Sequence, residues 1–262
     1  VRPSVPWAAV ALALLIAPGS HAGAPARGYL DGAPIGYAVP PAPTDPLVIE
    51  LDLVQVLSQR PAPTSARWLE AATDADAYDA PDIIRRFDDA SGRILDEPDR
   101  PLLVAMLGKL ITDAETYAGV AKADNSRPRP YVEDPSITPC NTHYLAGTER
   151  KAYPSGHAMN GYVVALALSA VFPASRPAIL ARGVRYGDNR VACGVHHPLD
   201  VEEGRRLAIA YFAALRSDPA FQADLACAQA EEALVSQKAP LPAACAASRA
   251  AILKVRASRG GP

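Results

Sequence analysis

Three short segments between Lys122 and Asp200 carry the residues of this chain best suited to chemistry: Lys122 with Arg129-Pro130, the run Pro154-Ser155-Gly156-His157, and Arg190 followed by His196 and Asp200. Together they offer three cations, two histidines, a carboxylate and a helix start. That set suits transfer of a phosphoryl group without a metal: cations can hold its oxygens and an imidazole can serve as nucleophile.

Each segment has its own logic. Ser155 is a good N-cap, Gly156 permits close backbone approach, and the free N–H groups of a first helical turn attract an anion. Asp200 follows His196 by four residues, one helical turn, so it can take the proton of one ring nitrogen and leave the other as a nucleophile. Lys122 and Arg129 add a point charge and a planar fork. His196, His197 and Asp200 are also metal-ligand types at near-helical spacing. The metal reading is set aside because no HExxH-like pair accompanies them and the cations sharing the site would repel a metal. No cofactor is called for. His197 reads as a structural or surface residue, His143 as a loop histidine, and Arg127 as a surface neighbour.

The elements that must position these groups read as helices. Helical periodicity covers Leu47 to Leu57, Arg67 to Ala75, Ile83 to Ile94 and a long segment from Arg100 to Val120, with Asp96 or Asp99 as its N-terminal signal. Prolines 128, 130, 135 and 139 make Asp124 to Tyr153 a long loop. Helices resume over His157 to Val171, Arg176 to about Tyr186, Leu199 to Leu215, Pro219 to Leu234 and Pro242 to Val255. Strand-like alternation is scarce, so the fold class is all-α, a bundle around the apolar Tyr162 to Phe172 helix. Glu202, Glu203, Arg205 and Arg206 read as a solvated, salt-bridged face, and Tyr153, Tyr162 and Tyr186 as core or rim packing.

Outside this region, residues 1–22 have the pattern of a secretory signal peptide: Arg2, an apolar run from Ala8 to Ala17, and Ser20-His21-Ala22 as the cleavage site. Residues 23–46 are a Pro/Ala-rich arm expected to pack loosely on the surface, and residues 47–262 form a single domain. No further stretch reaches the ~18 to 20 apolar residues that cross a bilayer. With 26 basic and 28 acidic residues interspersed, the chain lacks the basic field that nucleic-acid binding needs. Four cysteines allow three pairings. Cys227 with Cys245 is the expected local bridge across the turn at Pro240, which would leave Cys140 to meet Cys193 beside the site.

In combination, the segments resemble the K-x6-RP, PSGH and SR-x5-H-x3-D pattern of the type 2 phosphatidic acid phosphatase (PAP2) superfamily, and within it the class A bacterial nonspecific acid phosphatases. Asn189 stands where the pattern has Ser. The resemblance implies a helical bundle of the PAP2/vanadium haloperoxidase type and a metal-independent, exported acid phosphatase of periplasmic or secreted location. By that resemblance His196 becomes a phosphohistidine oriented by Asp200, and His157 serves as general acid. Lys122, Arg129, Ser155, Gly156 and Arg190 would cradle the phosphate of a small phosphomonoester. A homodimer is the default expectation. Phosphotransferase activity would follow if an alcohol replaced water on the phosphohistidine. Vanadium-dependent haloperoxidases share the same anion site and form the alternative, disfavoured by chain length, as membrane lipid phosphatases are by the missing spans.

Overall fold

The structure is a computed structural model that describes residues 27–96, 98–142 and 145–258. The expected signal peptide and His143 lie outside the described residues. Eleven α-helices and one short 3-10 turn are present among the described residues, with no strand. They are α1 (Pro46–Gln59), α2 (Ala66–Ala75), α3 (Ala80–Arg85), α4 (Asp88–Ser91), α5 (Pro101–Ala123), α6 (Pro130–Glu133), α7 (Gly156–Val171), α8 (Arg176–Ala192), α9 (Pro198–Leu215), α10 (Pro219–Val235) and α11 (Ala243–Ser258). No helix among the described residues is long and apolar enough to cross a membrane.

The centre is α7, whose sequence is apolar on all sides and which packs against α5, α8 and α9. Small residues let the backbones approach. A Cβ on Gly161 would stand 2.2 Å from the Tyr186 ring, and one on Gly204 would stand 2.3 Å from the Ser155 carbonyl, so α8 and α9 can press against the start of α7 only with glycine at those points. The core is built from Met106, Leu107 and Leu110 of α5, Val163, Val164 and Leu168 of α7, and Tyr186 and Tyr211.

Several sequence expectations change in the fold. The segment Ile83 to Ile94 is two short helices, broken at Arg86 and Phe87, and the second ends before Ile94 where Gly92 takes a left-handed φ of 68°. Neither Asp96 nor Asp99 caps α5. Its N-cap is Arg100, whose side chain does not cap the helix, and the first amides at Leu102 and Leu103 donate instead to the buried Glu231 carboxylate of α10. A cap supplied from 129 residues away leaves no local signal. Helix α8 runs on to Ala192, so Arg190 sits in its last turn rather than in a loop.

The arm is tied down along its described part. The amides of Tyr29, Leu30 and Asp31 all donate to the buried Asp113 of α5, and Tyr29, Leu30, Ile35, Tyr37 and Val39 pack on the core. Glu203, expected on a solvated face, is buried and accepts a 2.5 Å bond from the Tyr37 hydroxyl of that arm. Glu202, Arg205 and Arg206 do form the expected surface ion pairs. Tyr153 and Tyr186 are buried packing residues. Both disulfides occur as expected, Cys140–Cys193 and Cys227–Cys245.

Candidate active site

A cavity of about 240 Å³ opens between α5, α7, α8 and the proline-rich loop. Lys122 from the end of α5, Arg129 from the loop, Gly156 and His157 from the first turn of α7, Arg190 from α8 and His196 all line it. Six of the eight sequence-predicted site residues therefore meet on one wall.

The other two lie directly behind it. Ser155 is fully buried as the N-cap of α7, where its hydroxyl oxygen accepts the Ala158 amide at 3.3 Å. It shapes the wall through the helix start instead of facing the cavity. Asp200, also fully buried, lies under His196, with Oδ2 3.3 Å from the ring Nδ1. The Ser155 amide donates to the Asp200 carbonyl at 2.8 Å, which ties the start of α7 to the start of α9.

The tautomer of His196 follows from its partners. Asp200, an acceptor, faces Nδ1, while Arg129 Nη1, a donor, stands 3.1 Å from Nε2. The proton thus belongs on Nδ1, and Nε2 keeps its lone pair toward the cavity. Burial, and then the Arg129 charge, hold His196 well below the usual histidine range, against the opposing pull of Asp200. The ring is neutral in the free protein, the form in which an imidazole can attack.

His157 is set differently. Its ring meets Tyr78 edge-on at 4.8 Å and lies parallel to Tyr186 at 6.1 Å, and Nε2 is buried with no hydrogen-bond partner. Burial, followed by the charge of Arg190 and the neighbourhood of His196, Arg129 and Lys122, pushes it well below its ordinary value.

The three cations make their hydrogen bonds to neutral groups, where they make any. Lys122 Nζ donates to the Lys151 carbonyl at 2.7 Å, and Arg129 donates to the carbonyls of Thr148 and Val195. Arg190 is 2% exposed, and its Nε and Nη1 have no partner. Burial and then Arg129 bring Lys122 down to about 7, and burial followed by Arg190 brings Arg129 down to about 10. A cluster of like charges that depresses its own pKa values is a site short of an anion.

Sequence reasoning missed the layer beneath. Arg127, assigned to the surface, is 5% exposed and bridges two carboxylates, with Nη1 on Asp200 Oδ1 at 2.6 Å and Nη2 on Asp52 Oδ2 at 2.7 Å. Asp52 comes from α1 and also accepts the Leu199 amide. His197 is fully buried and structural, placed between Asp200 Oδ2 at 3.2 Å and Glu133 Oε2 at 2.8 Å. Burial raises Asp200, but bonds from His196 and His197 together with the Arg127 charge outweigh it and hold the carboxyl well below the usual range. On the cavity wall, Tyr78, Glu115 and Asn160 were also unforeseen. Asn160, one helical turn beyond His157, had a readable signal in that spacing; Tyr78 had none. Asn189 faces away from the cavity, with Nδ2 2.5 Å from Asp74 Oδ2.

Comparison with known proteins agrees with this arrangement. The model of the PAP2 superfamily matches residues 100–222, which span every one of the eight residues above. The chain is similar to a non-specific acid phosphatase of Salmonella typhimurium, 34% identical over 193 residues that cover 72% of this chain and 76% of the relative. It is similar to an acid phosphatase of Zymomonas mobilis at 32% identity, covering 76% and 75% of the two chains. A non-specific acid phosphatase of Providencia stuartii is 36% identical over 161 residues, 61% of this chain and 64% of the relative. Identity of this order over so much of both chains, with the cation and histidine cluster inside the matched region, means that the chain belongs to the PAP2 superfamily and, within it, to the non-specific acid phosphatases.

Proposed function

We propose that the protein hydrolyses small phosphomonoesters through a phosphohistidine on His196. The observation that carries this reading is the unprotonated Nε2 of His196, held by Arg129 on the wall of a cavity whose cations, Lys122, Arg129 and Arg190, have no carboxylate partner among the described residues. The phosphate oxygens occupy the space between those cations and the first amides of α7, with Gly156 on the wall. Nε2 attacks phosphorus, an N–P bond forms, and the P–O bond to the leaving alcohol breaks. His157 gives its proton to that alkoxide, then accepts one from the water that attacks phosphorus and releases His196. Asp200 keeps the ring oriented and offsets its charge while the N–P bond exists. An alcohol entering in place of water would give phosphotransfer.

The proton on His157 arrives with the substrate. In the free protein four neighbouring basic groups and burial keep the ring neutral. A bound phosphate anion beside Nε2 reverses the local field and raises the pKa. Activity therefore lies on the acidic side, in a bell set by two coupled imidazoles. Export to the periplasm or beyond, by way of a signal peptide in residues 1–22, is supported by the two disulfides, which persist in oxidising compartments.

The test is hydrolysis of p-nitrophenyl phosphate by wild type and His196→Ala in excess chelator, together with acid-quenched peptide mapping of wild type. His196→Ala should lose about 10⁴-fold or more in kcat. Phosphate should be found on His196 in the quenched enzyme. Chelator-sensitive wild-type activity, or an undiminished variant, overturns the mechanism.

A further inference from the structure

The cavity wall carries two kinds of group. Lys122, Arg129, Arg190 and the first turn of α7 offer donors. Two further lining residues, Asn160 and Glu115, carry acceptors. Asn160 is 7% exposed and lines the cavity, yet its Oδ1 is buried without a hydrogen-bond partner. An amide oxygen left bare in that position is destabilising unless a ligand meets it. Glu115 stands on α5 two turns before Lys122, on the same helical face, and reaches the cavity at its open side. Among the described residues it forms no ion pair with the cations on the same wall.

We infer that Asn160 and Glu115 form a leaving-group subsite that selects alcohols bearing hydrogen-bond donors, ammonium above hydroxyl, and disfavours substrates with a second anionic group. The inference rests on the phosphatase reading above, which places phosphate among the cations. With phosphorus held there and the departing oxygen beside His157, the rest of the alcohol extends along the wall where Asn160 follows His157 by one turn. An ammonium or hydroxyl group then meets the bare Oδ1 of Asn160, or the Glu115 carboxylate farther out. A carboxylate or second phosphate on the alcohol meets the same two acceptors and is repelled.

The experiment compares kcat/KM for four substrates, O-phosphoethanolamine, glycerol 1-phosphate, 3-phosphoglycerate and p-nitrophenyl phosphate, at pH 7 in low salt, for wild type, Glu115→Gln and Asn160→Ala. Ratios between substrates on one enzyme are read, so a general loss of activity cancels. Wild type should favour phosphoethanolamine over 3-phosphoglycerate by about 10-fold or more, the scale of one attractive and one repulsive partly screened pair. Glu115→Gln should shrink that ratio by about fivefold, and 0.5 M NaCl should shrink it in wild type but not in the variant. Asn160→Ala should lower the preference for glycerol 1-phosphate over p-nitrophenyl phosphate by about fivefold, one neutral hydrogen bond. Ratios that both substitutions leave unchanged, or a wild type that prefers 3-phosphoglycerate, overturn the subsite while the phosphatase reading stands. A wild type that hydrolyses none of these esters, p-nitrophenyl phosphate included, overturns both.

Discussion

The two layers of the site, the wall that faces the cavity and the network behind it, contain the same kinds of residue in opposite states. Behind the wall every strong group is matched: Arg127 bridges Asp52 and Asp200, and His197 bridges Asp200 and Glu133. On the wall the groups are bare: Arg190 Nε and Nη1, His157 Nε2 and Asn160 Oδ1 are buried without partners. The rear layer holds positions that must not change during a reaction, and folding alone satisfies it. The front layer leaves several such groups together on one wall, where a ligand can meet them.

Two buried arginines give the sharpest way to break this contrast, because it assigns them opposite roles. Arg127→Leu leaves Asp52 and Asp200 buried and uncompensated, so stability in a urea melt should fall by about 3 to 5 kcal/mol. Arg190→Ala removes two donors, Nε and Nη1, that had no protein partner, together with one bond to Tyr78, so stability should fall by no more than about 1 to 2 kcal/mol while kcat/KM for p-nitrophenyl phosphate drops by about 10² to 10³. If the two variants lose similar stability, the division into a satisfied and an unsatisfied layer is wrong.

A smaller effect comes from protons. His157 and His196 titrate well below their unfolded values in the free protein, so below about pH 6.5 the unfolded chain binds more protons and stability falls as the pH drops. Inorganic phosphate reverses the sign at His157. Its binding should take up a proton, measurable by calorimetry in buffers of different ionisation enthalpy, and its affinity should rise by up to about tenfold per pH unit on going from pH 7 to 6. Proton release, or pH-independent binding of a fixed phosphate species, would show that the front layer is not short of an anion.

These layers also differ in how they read from sequence. Front-wall residues sit in short segments with fixed spacings, so Lys122, Arg129, Gly156, His157, Arg190 and His196 were legible. The long helices were legible too, α7 as a continuous apolar run and others by an apolar stripe, whereas α6, one short turn at Pro130–Glu133, fell in a stretch read as loop and α3 and α4 were read as one helix. Arg127 was not, since its partners Asp52 and Asp200 lie 75 and 73 residues away and nothing local distinguishes it from a solvated arginine. The same blindness hid the Glu231 cap on α5 and the three arm amides on Asp113, which made a bound arm look like a loose one. Periodicity reports which face is buried; it does not report which distant carboxylate waits there.

Asn189 gives the finest test, because the motif puts it in the front layer and the fold puts it elsewhere. The motif position next to Arg190, where the pattern has Ser, would put this donor near the phosphate. Its Nδ2 instead bonds Asp74 at 2.5 Å and Glu70 at 3.3 Å, the two carboxylates of α2 that hold Arg182 and Arg185 on α8. The residue therefore joins two helices, and its neighbour on the chain does the work in the cavity. Restoring the motif by Asn189→Ser shortens the reach to Asp74, whose carboxylate keeps its bidentate partner Arg182. The variant should lose about 1 kcal/mol of stability, and kcat/KM for p-nitrophenyl phosphate should change by less than about threefold. A gain of tenfold or more would mean that residue 189 reaches the phosphate after all, and that the front layer extends one residue further along α8 than the cavity wall does.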